Sequence, residues 1–296
     1  MMSKSKKSGY FGSRKLGLVR AKGKLVHLNM NGLRLGDQRA EVLAEGIRLL
    51  KTVSSLDLSS NGITKKGAET VLSRLHWSMN HLNLSDNKIG MIGVDHIIRH
   101  VLNPKTTLLN LNISGNKLGS NAISQLCKSI SLNKTLKVVD FSRNFIMDNT
   151  AGDLAEMISL NPSIKELYLH WNQIKGAGAA LIFKAIEEKP VIKVLDMSWN
   201  NIGNHDTCTA TLCSLLKNNS DIVHLNLSHN NFTPEESEAI GEALFNNHTL
   251  YGFHFEGHYG YIDNLGFYIA QEKELWRTAS TKHERIFGVR AIAESQ

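Results

Sequence analysis

The chain has 296 residues, 42% of them hydrophobic and 21% charged, and its formal net charge is +7. With only 4 prolines and 23 glycines, the composition is not that of a disordered or linker-rich chain. No apolar run approaches the roughly 18 residues of a membrane span, so no transmembrane helix is predicted. Three cysteines without CxxC spacing argue against a disulfide framework or a zinc site. They favour a reducing compartment, so we expect a cytoplasmic protein without cofactor or metal.

The positive charge is concentrated at the N-terminus, in residues 1–24, which we call the basic leader. Its basic residues are Lys4, Lys6, Lys7, Arg14, Lys15, Arg20, Lys22 and Lys24. The leader has no acid, so the rest of the chain carries 34 − 8 = 26 basic and 27 acidic residues, a net charge of −1. It lacks the apolar segment of a secretory signal. This charge density predicts contact with RNA, the ribosome or an anionic membrane. A solvated leader without a partner is the alternative.

One asparagine recurs along the chain at spacings of 26, 29, 28, 28, 28 and 30 residues. The seven repeated residues are Asn61, Asn87, Asn116, Asn144, Asn172, Asn200 and Asn230. Each ends the pattern LxxLxLxxN, and imperfect copies with Leu33 and His258 in its place bring the count to nine units. Alternating apolar residues before the asparagine predict a short parallel strand. We expect each asparagine to be structural, bonding to backbone groups that the turn after the strand leaves unpaired.

The second half of each unit has helical spacing, as in residues 67–77 and 179–189. In the eighth unit, Thr233, Pro234 and Glu236 occupy the N-cap, N1 and N3 positions of a predicted capping box. In the third unit, His96 and His100 have the i, i+4 spacing of a metal-binding pair. We interpret that pair as part of a solvated helix face, because such pairs are ordinary on exposed helices.

This pattern resembles the leucine-rich repeat, and 28-residue units with a full helix resemble its ribonuclease-inhibitor-like class. The resemblance implies an α/β solenoid of about nine strand-turn-helix units, a horseshoe with its parallel sheet on the concave face and helices on the convex face. We divide the chain into the basic leader (1–24), the solenoid (25–270) and a C-terminal cap and tail (271–296). Aromatic residues near the C-terminus are expected to close the open end, and a partner surface is the alternative. They include Tyr259, Tyr261, Phe267, Tyr268, Trp276 and Phe287.

Unit six departs from the short polar residues that the other units place on the outward side of each strand. Tyr168, His170 and Trp171 replace residues such as Asn, Ser and Gly, and Trp199 follows in the next unit. Adjacent strands lie about 4.8 Å apart, so these residues and their flanking neighbours are predicted to form one partner-binding patch. The patch consists of Arg143, Tyr168, His170, Trp171, Trp199 and His229. Trp, Tyr and Arg are enriched at interface hot spots. The alternative is that the indoles lie flat and only cover the rim.

The sequence contains no GxSxG, HExxH, Walker or GxGxxG motif, so no enzymatic activity is predicted. The patch favours a monomeric, intracellular protein-binding scaffold. The Asn- and Lys-rich repeats resemble leucine-rich-repeat effectors that intracellular bacteria deliver into host cells. That resemblance implies a virulence protein, secreted into the host cytoplasm without a cleavable signal peptide, that blocks or recruits a host factor.

Other functions remain open. The basic leader is compatible with a ribosome or RNA binder. The Ran GTPase-activating protein has the same repeat class, which implies a GTPase regulator, but the C-terminus here lacks the acidic tail of that family. Tropomodulin-like actin-binding proteins share the fold as well, and no residue here singles them out. Because fold does not fix function, the surface residues have to decide between these alternatives.

Overall fold

A computed structural model describes residues 26–49, 52–245, 247–263 and 268–269. The basic leader, with all eight of its lysines and arginines, lies outside the described residues. So do Phe267, Trp276 and Phe287 and the whole of the predicted tail, 271–296. The proposed domain boundaries therefore stay predictions.

Nine parallel strands alternate with eight α-helices over the described residues. The strands are β1 (Val26–Asn29), β2 (Val53–Asp57), β3 (His81–Asn83), β4 (Asn110–Asn112), β5 (Val138–Asp140), β6 (Glu166–Tyr168), β7 (Val194–Asp196), β8 (His224–Asn226) and β9 (Gly252–His254). The helices are α1 (Gly36–Leu49), α2 (Lys65–Leu72), α3 (Gly90–Val101), α4 (Ser120–Ser131), α5 (Ala151–Leu160), α6 (Gly176–Glu188), α7 (Asp206–Asn218) and α8 (Pro234–Leu244). A short 3-10 helix, Asp148–Thr150, precedes α5, and an antiparallel hairpin, β10 (Tyr261–Ile262) with β11 (Tyr268–Ile269), follows β9.

The strands form one sheet in sequence order, β1 to β9, so each unit adds one strand beside the last. Leucines such as Leu56 and Leu58 point from each strand toward the helices and are fully buried. Strands pack about 4.8 Å apart whereas helices need 8–10 Å, so the sheet lines the concave face and the helices the convex face. The predicted α/β solenoid is confirmed. No helix in the described segments has the length and apolar character that a membrane span requires.

Two elements differ from the predicted pattern. Helix α2 ends at Leu72 and does not continue to Trp77, because this unit has the shortest spacing and leaves fewer residues for a helix. In the ninth unit, the described residues after β9 form the β10–β11 hairpin and no helix. The ring of Tyr268 packs on Gly241 of α8, where a Cβ atom would overlap it, and its hydroxyl donates to the carbonyl of Tyr259 at 2.8 Å.

The repeated asparagines join consecutive units. In all seven, Nδ2 donates to the carbonyl three residues earlier and to a carbonyl of the preceding unit. In the ninth unit, Nε2 of His258 accepts the N–H of Asn230 at 2.9 Å. The predicted capping box is confirmed, because Thr233 Oγ1 accepts the Glu236 N–H and the Glu236 carboxylate accepts the Thr233 N–H.

The interpretation of His100 as part of a solvated face was wrong. Its side chain is only 4% exposed, because the repeat turns this side of α3 toward the interior. Its ring lies 5.2 Å from that of Trp77, and neither ring nitrogen has a hydrogen-bond partner among the described residues. Burial, assisted by the charge of His76, lowers the pKa of His100 to about 4.

A neutral, buried His100 predicts a loss of stability in acid. At pH values between the ordinary histidine pKa and about 4, His100 is protonated in the unfolded chain and neutral in the folded chain. The free energy of unfolding should therefore fall as pH drops from about 6.5 to 4, by at most about 3 kcal/mol from this residue. Urea unfolding at pH 7 and pH 4.5 measures the fall. The variant His100→Phe should show a smaller fall than wild type, and an equal fall in both proteins would contradict the assignment.

Candidate partner-binding surface

One backbone position on the concave rim has the same conformation in every unit. It lies directly before the repeated asparagine, or before Leu33 and His258 in the first and ninth units, and we call its nine residues the rim row. The rim row consists of Gly32, Ser60, Asp86, Gly115, Arg143, Trp171, Trp199, His229 and Gly257. All nine have positive φ, between 52° and 89°. The N–H of Trp171 donates to the carbonyl of Ser198 and that of Trp199 to Ser228, each at 3.0 Å, so hydrogen bonds between units hold this turn.

Bulky side chains are costly at such a position. The left-handed conformation costs roughly 1–2 kcal/mol for an L-residue and almost nothing for glycine. Glycine occupies three of the nine positions of the rim row, whereas Trp171 and Trp199 have φ values of 55° and 52°. A tryptophan in this conformation is a genuine outlier. The choice of tryptophan at two neighbouring positions therefore needs a compensating gain in stability or in binding.

The two indoles stack on each other. The ring centroids of Trp171 and Trp199 lie 4.2 Å apart, with an angle of 7° between the ring planes. The ring of His229 stacks on that of Trp199, with a centroid distance of 4.0 Å and an interplanar angle of 28°. We call these three residues the ring stack. The last residue of the rim row is Gly257, and glycine is favoured there because a Cβ atom would come within 2.7 Å of Nδ1 of His229. Such aromatic pairs contribute about 0.5–1.5 kcal/mol beyond the area that they bury, which is close to the backbone cost. Trp171 and Trp199 remain 51% and 42% exposed, so the stack covers only part of each ring.

Arg143 is not part of the ring stack. Its Nη2 lies 2.9 Å from Oδ2 of Asp86, two units away. Gly115 lies between them, where a Cβ atom would overlap the Asp86 carboxylate, so the glycine leaves room for this contact. Both charged side chains are exposed, and an ion pair of this kind contributes only about 0–1 kcal/mol. A partner carboxylate can therefore replace Asp86 at little cost.

Tyr168 and His170 lie on the concave sheet, among acidic side chains. Tyr168 pairs in register with Asp140 on one side and Asp196 on the other, and its hydroxyl donates to Oε2 of Glu166 at 2.9 Å. Burial raises the pKa of Tyr168 to about 12, and the hydrogen bond and charge of Glu166 and the charges of both aspartates add to the shift. Nδ1 of His170 is 3.4 Å from Oδ2 of Asp196, an electrostatic approach without hydrogen-bond geometry.

A hollow of about 440 Å³ runs along the concave face from β2 to the end of β6. Tyr168 and His170 close one end of it, and Asp57, His81 and Asn83 line the other. The structure thus divides the predicted patch into three parts. The ring stack lies on the rim, Tyr168 and His170 lie in the hollow, and Arg143 is turned toward Asp86.

The sequence reasoning missed two exposed apolar residues on the same edge of the solenoid. Phe145 and Met147 are 46% and 45% exposed in the loop that follows β5. Met147 forms a β-bridge with Gln173, two residues after Trp171, which places it in the loop next to the ring stack. At these two positions the six other units with the repeated asparagine have only Gly, Lys, Gln, Asn or Thr. Both residues break columns that are otherwise polar or glycine, and this signal is present in the sequence.

The described residues contain no group of three or more His, Cys, Asp or Glu side chains arranged to hold a metal ion. All three cysteines are free thiols, and Cys127 and Cys208 are buried. Burial and the nearby Glu236 charge raise the pKa of Cys208 to about 12, which keeps this thiol protonated and unreactive. The concave side chains offer hydrogen bonds, charges and ring edges, which are means of recognition.

The ring stack predicts a specific optical signal. Two indoles 4.2 Å apart couple electronically and give a paired circular dichroism band that neither ring gives alone. We expect Trp171→Asn and Trp199→Asn each to abolish this pair, since either removes one partner and asparagine tolerates the left-handed conformation. The matched control Trp77→Phe should keep it. A pair of bands that survives either single substitution would show that the indoles do not stack in solution.

Comparison with known proteins agrees with this architecture. The family model described as "Leucine Rich repeat" matches residues 50–72, 78–96, 160–183, 189–205 and 218–235. Among curated proteins, the human "NACHT, LRR and PYD domains-containing protein 13" is 28% identical over 115 residues, 38% of this chain. The matched region is 11% of the length of that relative.

Two solved structures are similar in part. The "Leiomodin-1 Actin-Binding Site 2 (ABS2)" structure has a TM-score of 0.43 and 20% identity, covering 52% of this chain and 86% of its own. The tropomodulin C-terminal domain of Caenorhabditis elegans has a TM-score of 0.46 and 18% identity, covering 52% and 92%. The chain thus has the fold of an α/β leucine-rich-repeat solenoid, and the family model matches parts of five of its units.

Proposed function

We propose that this protein is a non-enzymatic scaffold that binds a protein partner with its concave face and the adjoining rim. The leucine-rich-repeat fold is typical of protein–protein interaction, since stacked units present an extended concave surface. The partner would contact the ring stack, the Tyr168 and His170 side chains, and Arg143.

One observation carries the proposal: two neighbouring tryptophans are half-exposed in a backbone conformation that disfavours them. Their stacking contributes about as much as the conformation costs, and the half of each indole that stays exposed adds nothing to folding stability. Binding gives a reason, because tryptophan is the residue type most enriched at interface hot spots. Phe145 and Met147 extend the apolar surface on the same edge.

The surface is large enough for a specific complex. Eight intervals of about 4.8 Å make the sheet about 38 Å wide, and five residues of strand and turn make it about 17 Å deep. This area is on the order of 650 Å², and the rim loops bring it near the roughly 800 Å² per partner of a standard interface.

The origin and target of the scaffold are a further part of this proposal. We propose a bacterial effector that acts in the host cytoplasm by blocking or recruiting a host factor. The Asn- and Lys-rich repeats support this origin. A GTPase regulator would use the same concave surface, and no particular feature of the described residues favours it.

A ribosome or RNA binder is the second candidate. It is favoured by the eight positive charges in the 24 residues of the basic leader. Binding to phosphates releases counterions, so such a complex would weaken steeply with salt, by a factor of about 10³ or more between 50 and 200 mM when six or more phosphates are contacted. A complex held by the ring stack would weaken only modestly.

Affinity capture from eukaryotic cell lysate tests the proposal. Immobilised full-length wild type is compared with the double variant Trp171→Asn, Trp199→Asn. Each anchor contributes about 2 kcal/mol, so a true partner should be depleted at least tenfold on the double variant, as measured by quantitative mass spectrometry.

The matched control is the double variant Val42→Asn, Leu132→Asn. It removes two apolar side chains that are 75% and 70% exposed on the convex helical side. It should retain the partner. Nuclease treatment identifies the second candidate, since RNA-mediated capture disappears with it. If no captured protein depends on the two tryptophans, the proposed binding surface is wrong.

A further inference from the structure

We propose that the concave face also binds a lysine- and arginine-rich segment, and that this segment is the chain's own basic leader. The site is centred on Asp140, Glu166 and Asp196, which we call the carboxylate cluster. This inference stands apart from the proposed partner, because it needs neither tryptophan of the ring stack.

The carboxylate cluster belongs to three consecutive strands around Tyr168. Asp140 and Asp196 flank Tyr168 in register, and Glu166 accepts its hydroxyl. Among the described residues, none of these three carboxylates forms an ion pair with a lysine or an arginine. Two imidazoles lie near Asp196 among the described residues: Nδ1 of His170 is 3.4 Å from its Oδ2, and its charge also acts on His224 of the adjacent strand β8.

The aspartates keep an oxygen atom available for a cation. Oδ1 of Asp140 accepts hydrogen bonds from the backbone N–H of Ser142 at 2.9 Å and from the Ser142 hydroxyl at 2.6 Å. Oδ1 of Asp196 accepts the same two bonds from Ser198, at 2.9 and 2.7 Å. Oδ2 of Asp140 has no hydrogen bond within the described residues. Charged groups of this kind are best paired by ammonium or guanidinium groups, which also pack favourably on the ring of Tyr168.

The basic leader has the matching chemistry. It carries eight positive charges and no negative one, while the rest of the chain has a net charge of −1. Two of its residues, Tyr10 and Phe11, are aromatic.

The leader is also long enough. It joins the solenoid just before β1, and β6 lies five strands away, about 24 Å at the usual strand spacing. Twenty-four residues span up to about 80 Å when extended. A tethered segment has an effective concentration near the mM range, so even a weak contact would be occupied within the same chain. A docked leader would cover the hollow and compete with a partner for it.

Trypsin protection in the full-length chain tests the inference, because trypsin cleaves after the lysines and arginines of the leader. At low ionic strength, cleavage within residues 1–24 should be about fivefold slower in wild type than in the triple variant Asp140→Asn, Glu166→Gln, Asp196→Asn. At high salt the two rates should become equal, since screening removes the attraction. Asparagine suits the positions of Asp140 and Asp196, because Asn112 and Asn226 occupy the same position in their own units and already accept the N–H of a serine.

The matched control neutralises three exposed acids on the convex helices, with Glu41→Gln, Asp95→Asn and Glu156→Gln. It loses the same net charge and should keep the leader protected. Cleavage rates inside the solenoid, followed in the same digests, show whether each variant is folded. Equal leader cleavage in wild type and in the first variant would overturn the inference, and so would equal loss of protection in the control.

Carbodiimide cross-linking of wild type locates the contact. The reagent joins a lysine Nζ to a carboxylate as an amide, with loss of the carboxylate oxygen to the urea by-product. We expect links from Lys4, Lys6 or Lys7 to the carboxylate cluster within one chain, as a mixture of ¹⁵N-labelled and unlabelled protein would show. Links only between labelled and unlabelled chains, or only to convex acids, would refute docking within the chain.

Discussion

The asparagine that ends each strand is the constraint on which the rest of the structure depends. A parallel strand of three residues cannot satisfy the backbone groups of the turn that follows it. In the seven units that have it, the Asn amide donates to its own unit and to the preceding one, as Asn172 does to Leu169 and Phe141. Its Oδ1 accepts the N–H of Ile146. The same side chain therefore closes the turn and fixes the spacing of neighbouring units. Without it, the concave residues would have no common register.

This constraint also decides what the rim can display. Because the asparagine and the bonds between units hold the turn, the residue before it must adopt positive φ whatever its type. The scaffold thus tolerates glycine, serine, arginine or tryptophan there, and the choice has little effect on the core. Trp171 and Trp199 recover in stacking about what their backbone conformation costs. In the proposed function, recognition of a partner is what distinguishes these units from the others, and the carboxylates around Tyr168 adjoin the same surface.

The sequence predicted the fold well because the repeat states one local rule nine times, and periodic apolar residues determine strand and helix. It also identified the tryptophans, since they break a column of small residues. It did not predict the positive φ of the rim row, because glycine at only three of the nine positions, Gly32, Gly115 and Gly257, does not by itself indicate a left-handed conformation. The direction of Arg143 depends on Gly115, which lies in the unit between Arg143 and its partner Asp86, and the burial of His100 depends on packing between helices. Such contacts are set by three-dimensional neighbours, which spacing alone does not specify.

The most direct test compares two adjacent residues with opposite roles, Asn172 and Trp171. Urea unfolding gives the free energy of unfolding of Asn172→Ala and Trp171→Asn against wild type. Asn172→Ala leaves carbonyl and N–H groups of the turn unpaired, so we expect a loss of about 1–3 kcal/mol. Trp171→Asn should cost less than Asn172→Ala, because relief of the backbone strain offsets much of what the half-exposed indole loses in stacking. A large loss for Trp171→Asn with little change for Asn172→Ala would contradict the account, since the tryptophan would then be part of the scaffold.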